Sequence, residues 1–134
     1  MARRRRAAGE LEEFLLALLE REGGPLTGLM LTGMLREQGD AVALSLVFRA
    51  LCKLVERGIV HKLLTSRGYV LTRSANEIYL SCTVCGAVGR VVNEEPFRRL
   101  DAAADRRGFR VTRPIVEVVG KCSNCSSWGD DEPS

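Results

Sequence analysis

Residues 40–72 read DAVALSLVFRALCKLVERGIVHKLLTSRGYVLT, and the change of hydrophobic period inside this stretch decides the first half of the fold. Asp40 can cap a helix running to about Arg57, with Val42, Leu46, Leu51, Leu54 and Val55 on its buried side. Ser45, Arg49, Lys53 and Glu56 then lie on the exposed side, and Gly58 supplies the stop, because glycine takes the left-handed conformation that ends helices. Residues 59–64 and 69–72 follow as two short β-prone runs around Thr65-Ser66-Arg67-Gly68, the pattern of a hairpin with a glycine in its turn.

Upstream, residues 10–22 (ELEEFLLALLERE) place Leu11, Phe14, Leu15, Leu18 and Leu19 on one helical stripe that Gly23-Gly24-Pro25 ends. Thr27 is the expected N-cap of a second helix over 28–37, closed by Gly39, without the Glu three positions on that completes a capping box. Leu29, Met30, Leu31, Met34 and Leu35 make that helix unusually apolar. Three helices and a hairpin are the pattern of a winged helix-turn-helix domain, here over 10–73 behind a basic arm at 1–9.

A hinge at 74–76 leads into a different texture. Residues 77–83 alternate as a strand, 87–92 form a short apolar run, 96–107 read as a helix with Pro96 at its first position, and 109–119 as one or two strands. The expected fold class is α+β: the winged helix, then a small α/β domain over 77–126, then an acidic tail at 127–134. No internal repeat is visible.

Two cysteine pairs pin the ends of the second half. Cys82-x-x-Cys85 and Cys122-x-x-Cys125 are separated by 36 residues, and each pair lies next to small residues that permit tight turns. Zinc takes four thiolates in a tetrahedron, and a two-residue gap lets both sulfurs of a pair face one ion. The alternatives are disulfides, which a reducing compartment disfavours, buried thiols, or a redox switch that releases zinc on oxidation. A catalytic zinc fits poorly, because four protein ligands leave no open position for water. Cys52 stands apart on the third helix and reads as a buried small hydrophobe.

Composition narrows the function. Of 134 residues, 46% are hydrophobic and 28% charged, which suits a packed globular protein of one domain or two small ones. The longest apolar runs, 14–19 and 115–119, fall far short of a bilayer span, and the basic start lacks a signal-peptide core. A cytoplasmic protein without membrane contact is the expectation. His61 is the only histidine, and no phosphate-binding loop or nucleophile elbow is present, so the expectation is no enzyme and no small-molecule substrate.

The net charge is +3, but residues 1–79 hold 12 Lys/Arg against 9 Asp/Glu, while 80–134 hold 8 of each. An excess confined to the first half suits contact with a polyanion there. Double-stranded DNA is the expected partner. Ser45, Phe48, Arg49 and Lys53 would face bases from the third helix, with Arg3, Arg4, Arg5, Arg6, Lys62 and Arg67 on phosphates.

These motifs, in order, resemble the ferric uptake regulator (Fur) family of bacterial metal-responsive repressors, and the second half is most similar to its zinc uptake regulator (Zur) branch. The matching segments are Gly23 to Thr27, Val42 to Leu51, Cys82 to Val88, Arg107 to Val111 and Ile115 to Cys125. The resemblance implies a homodimer with one structural zinc per chain held by the four cysteines, binding an A/T-rich inverted repeat. The family's Tyr-Arg pair in the recognition helix corresponds here to Phe48-Arg49, so the hydroxyl is lost.

The family's sensing site departs further. Its His-x-His group falls on Asn76 to Ser81, its Glu on Arg90, and its later histidines on Arg113-Pro114, and none of these is a His. The resemblance thus implies a regulator whose inducer-metal site is degenerate or absent, with Glu77, His61 and Cys52 the residues from which a diverged site could be built. Two other readings keep the fold: a partner that heterodimerises with or titrates a metal-sensing relative, and a thiol-based redox sensor.

Overall fold

Leu15, Leu18 and Leu19 are buried on α1 (Glu10–Glu22), one helical turn apart, and around them the core of the first half assembles. The structure, a computed structural model, describes residues 9–64 and 66–126, and the chain divides into two compact units between Thr72 and Arg73. The arginine arm at Arg3 to Arg6 and the whole acidic tail, 127–134, lie outside the described residues.

The first unit continues with α2 (Gly28–Glu37), α3 (Leu44–Glu56), β1 (Val60–Lys62) and β2 (Tyr69–Leu71). The two strands pair antiparallel with Val60 opposite Leu71 and Lys62 opposite Tyr69, and Leu26 bridges to Tyr69. This is the winged helix-turn-helix arrangement. Leu31, Leu35, Val47, Leu51 and Leu54 are fully buried with the α1 leucines in one core cluster. Burial of each such side chain contributes about 1.5–3 kcal/mol.

Several local details depart from the sequence expectation. Asp40 does not cap α3: its amide donates to Leu35 O at 2.9 Å, so it belongs to the end of α2, with Gly39 left-handed at φ 84. Ala43 precedes α3 without a side-chain cap. The buried face of α3 is Val47, Ala50, Leu51 and Leu54, so Leu46 is exposed and Val47 takes its place. Cys52 is exposed rather than buried. The α2 capping box is complete after all, because the Thr27 Oγ1 accepts from the Met30 amide at 3.1 Å and the Met30 sulfur accepts from the Thr27 amide at 3.4 Å.

The second unit contains β3 (Glu77–Cys82), β4 (Val88–Val92), α4 (Glu94–Asp105) and β5 (Val116–Gly120), with sheet order β4-β3-β5. β4 pairs antiparallel and β5 parallel to the central strand. α4 starts two residues earlier than Pro96 suggests: Asn93 Oδ1 accepts from the Glu95 amide at 3.0 Å, which makes Pro96 the third helical residue. Proline is tolerated there because the first-turn amides have no intrahelical acceptor. Residues 109–115 contain no strand, so the run expected as one or two strands supplies only β5.

Two leucines that look alike in sequence should behave oppositely. Leu51→Ala, at 0% exposure, is expected to cost about 2–5 kcal/mol in urea denaturation. Leu29→Ala, at 70% exposure, should stay within about 0.5 kcal/mol.

Candidate metal centre and nucleic-acid interface

The parallel register of β3 and β5 sets Cys82 beside Gly120. The Thr83 amide then donates to Gly120 O at 2.8 Å, and the second knuckle, two residues past β5, meets the first. The sulfurs of Cys82, Cys85, Cys122 and Cys125 all lie within 4.8 Å of one another. A tetrahedron with bonds of about 2.3 Å requires sulfurs about 3.8 Å apart, and the Cys85 and Cys122 sulfurs stand at 3.7 Å. That separation excludes a disulfide, which needs about 2.05 Å, and all five cysteines are free.

The environment of Cys82 is built for a thiolate. Its sulfur accepts from the amides of Val84 at 3.4 Å, Cys85 at 3.5 Å and Cys122 at 3.4 Å, and Gly86, left-handed at φ 79, closes the turn by donating to Cys82 O. The Cys85, Cys122 and Val84 amides lower the Cys82 pKa to about 6. Hydrogen bonding with the Cys122 and Cys85 sulfurs raises that of Cys125 to about 12. Four sulfurs this close cannot all carry charge without a cation among them, and a divalent ion with a preference for sulfur, such as zinc, fits the donor set. The ordered residues could hold such an ion without rearrangement.

At the other end of β3 lies a second polar group. Glu77, 8% exposed, accepts from Tyr79 Oη at 2.6 Å, the Arg73 amide at 3.2 Å and Arg90 Nη1 at 3.1 Å. The Arg90 guanidinium also stacks 5.5 Å from the Tyr79 ring centre. Burial pulls the Glu77 pKa up, but Tyr79, Arg73 and Arg90 outweigh it and hold the carboxyl below its usual range. Within each unit, the four cysteines are the only group of three or more potential metal ligands among the described residues. Glu77, one of the residues named for a diverged site, is engaged within its own unit by Arg73, Tyr79 and Arg90.

In the first unit, Ser45, Phe48, Arg49 and Lys53 are all exposed on α3, on the side away from Val47, Leu51 and Leu54. Cys52, which sequence reasoning placed inside, joins them. Lys62 is exposed on β1 with its ammonium 5.8 Å from the Tyr69 ring centre, and Arg67 is exposed at the hairpin tip with φ 60. A further contact on this surface was not anticipated. Gly28 packs directly under the Phe48 ring, and a glycine at the first position of a helix was the one signal that could have pointed to it.

The fold and site define a winged-helix protein with a four-thiolate metal centre in a separate α/β unit. No family model matches the sequence. Individual relatives do. The chain is 30% identical over 96 residues to the zinc uptake regulation protein of Mycobacterium tuberculosis, spanning 69% of this chain and 74% of that one. It is 28% identical over 116 residues to the zinc uptake regulation protein of Escherichia coli, spanning 83% and 68%. A solved zinc uptake regulator complexed with zinc and DNA superposes with a TM-score of 0.76 at 26% identity, covering 90% of this chain and 84% of that chain. The chain belongs to the ferric uptake regulator family, in its zinc uptake regulator branch.

Two measurements probe these groups. Cys122→Ser should lower bound metal below the wild-type stoichiometry and unfold the second unit, read by elemental analysis and circular dichroism. Glu77 contributes stability when ionised, and because its pKa is depressed that contribution is present above the unfolded value and is lost as pH falls through the folded one. Stability measured from pH 6 to pH 3 should therefore fall less steeply in Glu77→Gln than in the wild type.

Proposed function

We propose that this chain is a homodimeric, sequence-specific DNA-binding transcriptional regulator, in its simplest form a repressor that occupies a promoter. One structural zinc per chain sits at Cys82, Cys85, Cys122 and Cys125, and no inducer metal is needed. The outward face of α3 carries the reading: the buried face docks α3 on the core and leaves Ser45, Phe48, Arg49 and Lys53 to enter the major groove of an A/T-rich inverted repeat. Lys62, Arg67 and the arm Arg3, Arg4, Arg5 and Arg6 hold phosphates. DNA as ligand places its action in the cytoplasm. The relative solved with zinc and DNA supports the assignment.

Dimerisation follows from the sheet of the second unit. Alternation puts Glu77, Tyr79 and Ser81 on one face, and Leu80, Val91 and Val118 on the other, where these three are 41%, 40% and 50% exposed. Two copies burying that apolar face give a two-fold dimer that matches an inverted repeat. Arg90, which pairs with Glu77 in the stretch where the family places metal ligands, supports independence from an inducer metal.

Selection of bound sequences from a random DNA pool, with and without a mild chelator that spares the structural zinc, tests the proposal. Enrichment of an A/T-rich inverted repeat in both arms supports it. Enrichment only without chelator overturns the metal-independent part. Enrichment in neither overturns the DNA reading and favours a partner that titrates a relative, a role for which the exposed Leu29 and Met30, at 70% and 51%, would offer a docking surface. Arg49→Ala should cost about 1–3 kcal/mol and relax base preference. Removing one arm arginine should weaken all sequences alike and reduce the salt slope by about one unit.

A further inference from the structure

The chain passes from one compact unit to the other between Thr72 and Arg73, and the backbone amides of these two residues are tied to different units. The Thr72 amide donates to Ile59 O at 2.9 Å, within the first unit. The Arg73 amide donates to Glu77 Oε1 at 3.2 Å, within the second. The anchors fall on adjacent residues, so no residue between them is left to act as a linker.

The second anchor is held from several sides. Glu77 is 8% exposed, and besides the Arg73 amide its carboxylate accepts from Tyr79 Oη at 2.6 Å and from Arg90 Nη1 at 3.1 Å. Residues 74–76 form a turn between Arg73 and Glu77. Asn76 is left-handed at φ 63, a conformation asparagine tolerates better than most residues, and its carbonyl oxygen accepts from the Asn93 amide at 3.1 Å. A buried carboxylate that binds a guanidinium makes a strong, directional anchor for the amide on its other oxygen.

Chain and duplex dimensions set what this tightness does. Three loose residues reach up to about 10 Å. One base pair occupies about 3.4 Å along the duplex and turns the next site by about 35°. A joint with loose residues therefore accommodates half-sites moved by one or two base pairs, whereas a joint with none does not. When the second half-site is out of reach, the gain from binding both halves through one dimer is lost.

We propose that Glu77 is a positioning residue for half-site spacing: by holding the Arg73 amide it removes slack from the joint, and the homodimer accepts one separation between the halves of its inverted repeat. The proposal rests on the reading of a two-fold dimer bound to such a repeat. Glu77 touches no DNA in this account and acts through the length of the joint.

The test uses the full zinc-loaded chain and the inverted repeat enriched from the random pool, with its centre lengthened or shortened by one or two base pairs, beside a single half-site. The wild type is expected to bind the enriched spacing about tenfold or more tighter than the others. Three glycines inserted between Thr72 and Arg73 add slack and leave both anchors in place. Glu77→Ala adds it by releasing the turn. Both variants should bind every spacing within about threefold, with single half-site affinity and bound zinc at wild-type values. A residue that merely stabilised the second unit would change affinity at every spacing alike. If Glu77→Ala does not fold, Glu77→Gln takes its place: Arg73 and Arg90 bond to different carboxylate oxygens, glutamine offers one, and spacing should relax in the same direction. Equal binding of the wild type to all spacings overturns the proposal, as does wild-type selectivity in the insertion or in the Glu77 variant, and each of these results leaves DNA binding standing. No affinity for any duplex, or enrichment of a site without two-fold symmetry, overturns the underlying reading as well.

Discussion

Cys82 lies beside Gly120 in a parallel pair, and the second unit depends on that register. In a strand, a shift of one residue sends every side chain to the opposite face. Slipping β5 by one position would carry the second knuckle away from the first and break the tetrahedron. Parallel pairing is the form that local sequence specifies least, because it needs a long crossover, here through β4 and α4. A cation held among four sulfurs drawn from both ends of that crossover would fix the register. The metal centre and the sheet thus specify each other.

The first unit solves a different problem with a single helix. α3 must be buried deeply enough to be held at a fixed angle, yet leave a full face for a ligand. Val47, Ala50, Leu51 and Leu54 provide the first, at the helical spacing that gathers them on one stripe. The outward face is not simply basic, since Ser45 and Phe48 accompany Arg49 and Lys53. Cations alone attract any duplex, whereas a mixed face with two cations, one hydroxyl and one seated ring has the chemistry to tell base pairs apart.

How far the sequence could be read follows from which forces were local. α1 and α2 match their expected bounds, because a leucine stripe, a threonine cap and flanking glycines are all short-range signals. The knuckles were legible for the same reason. α3 was read with Leu46 buried in place of Val47: Leu46, Val47 and Phe48 are consecutive and apolar, so hydrophobicity could not choose among them, and the choice was made by packing against α1 and α2. Asp40 misled because an acidic residue before a helix can equally finish the helix before it, which is its role next to Gly39. Cys52 and the Met30 cap were hidden by the dual character of sulfur, which serves as a small hydrophobe in one setting and an exposed polar atom or acceptor in another. The Gly28 seat is a contact between two helices, and its one local trace is the glycine at the first position of α2.

β3 ends the comparison between the two anionic groups of the second unit. At its last residue, Cys82 accepts from the backbone amides of Val84, Cys85 and Cys122 within a set of four thiols. At its first residue, about 17 Å along the strand, Glu77 has Arg90 at 3.1 Å from the neighbouring strand. Both groups concentrate negative charge, and for Glu77 the counterion is Arg90. An ion held by the four sulfurs would tie the fold of the unit to metal supply. For the carboxylate the counterion is encoded on β4, the strand paired with β3.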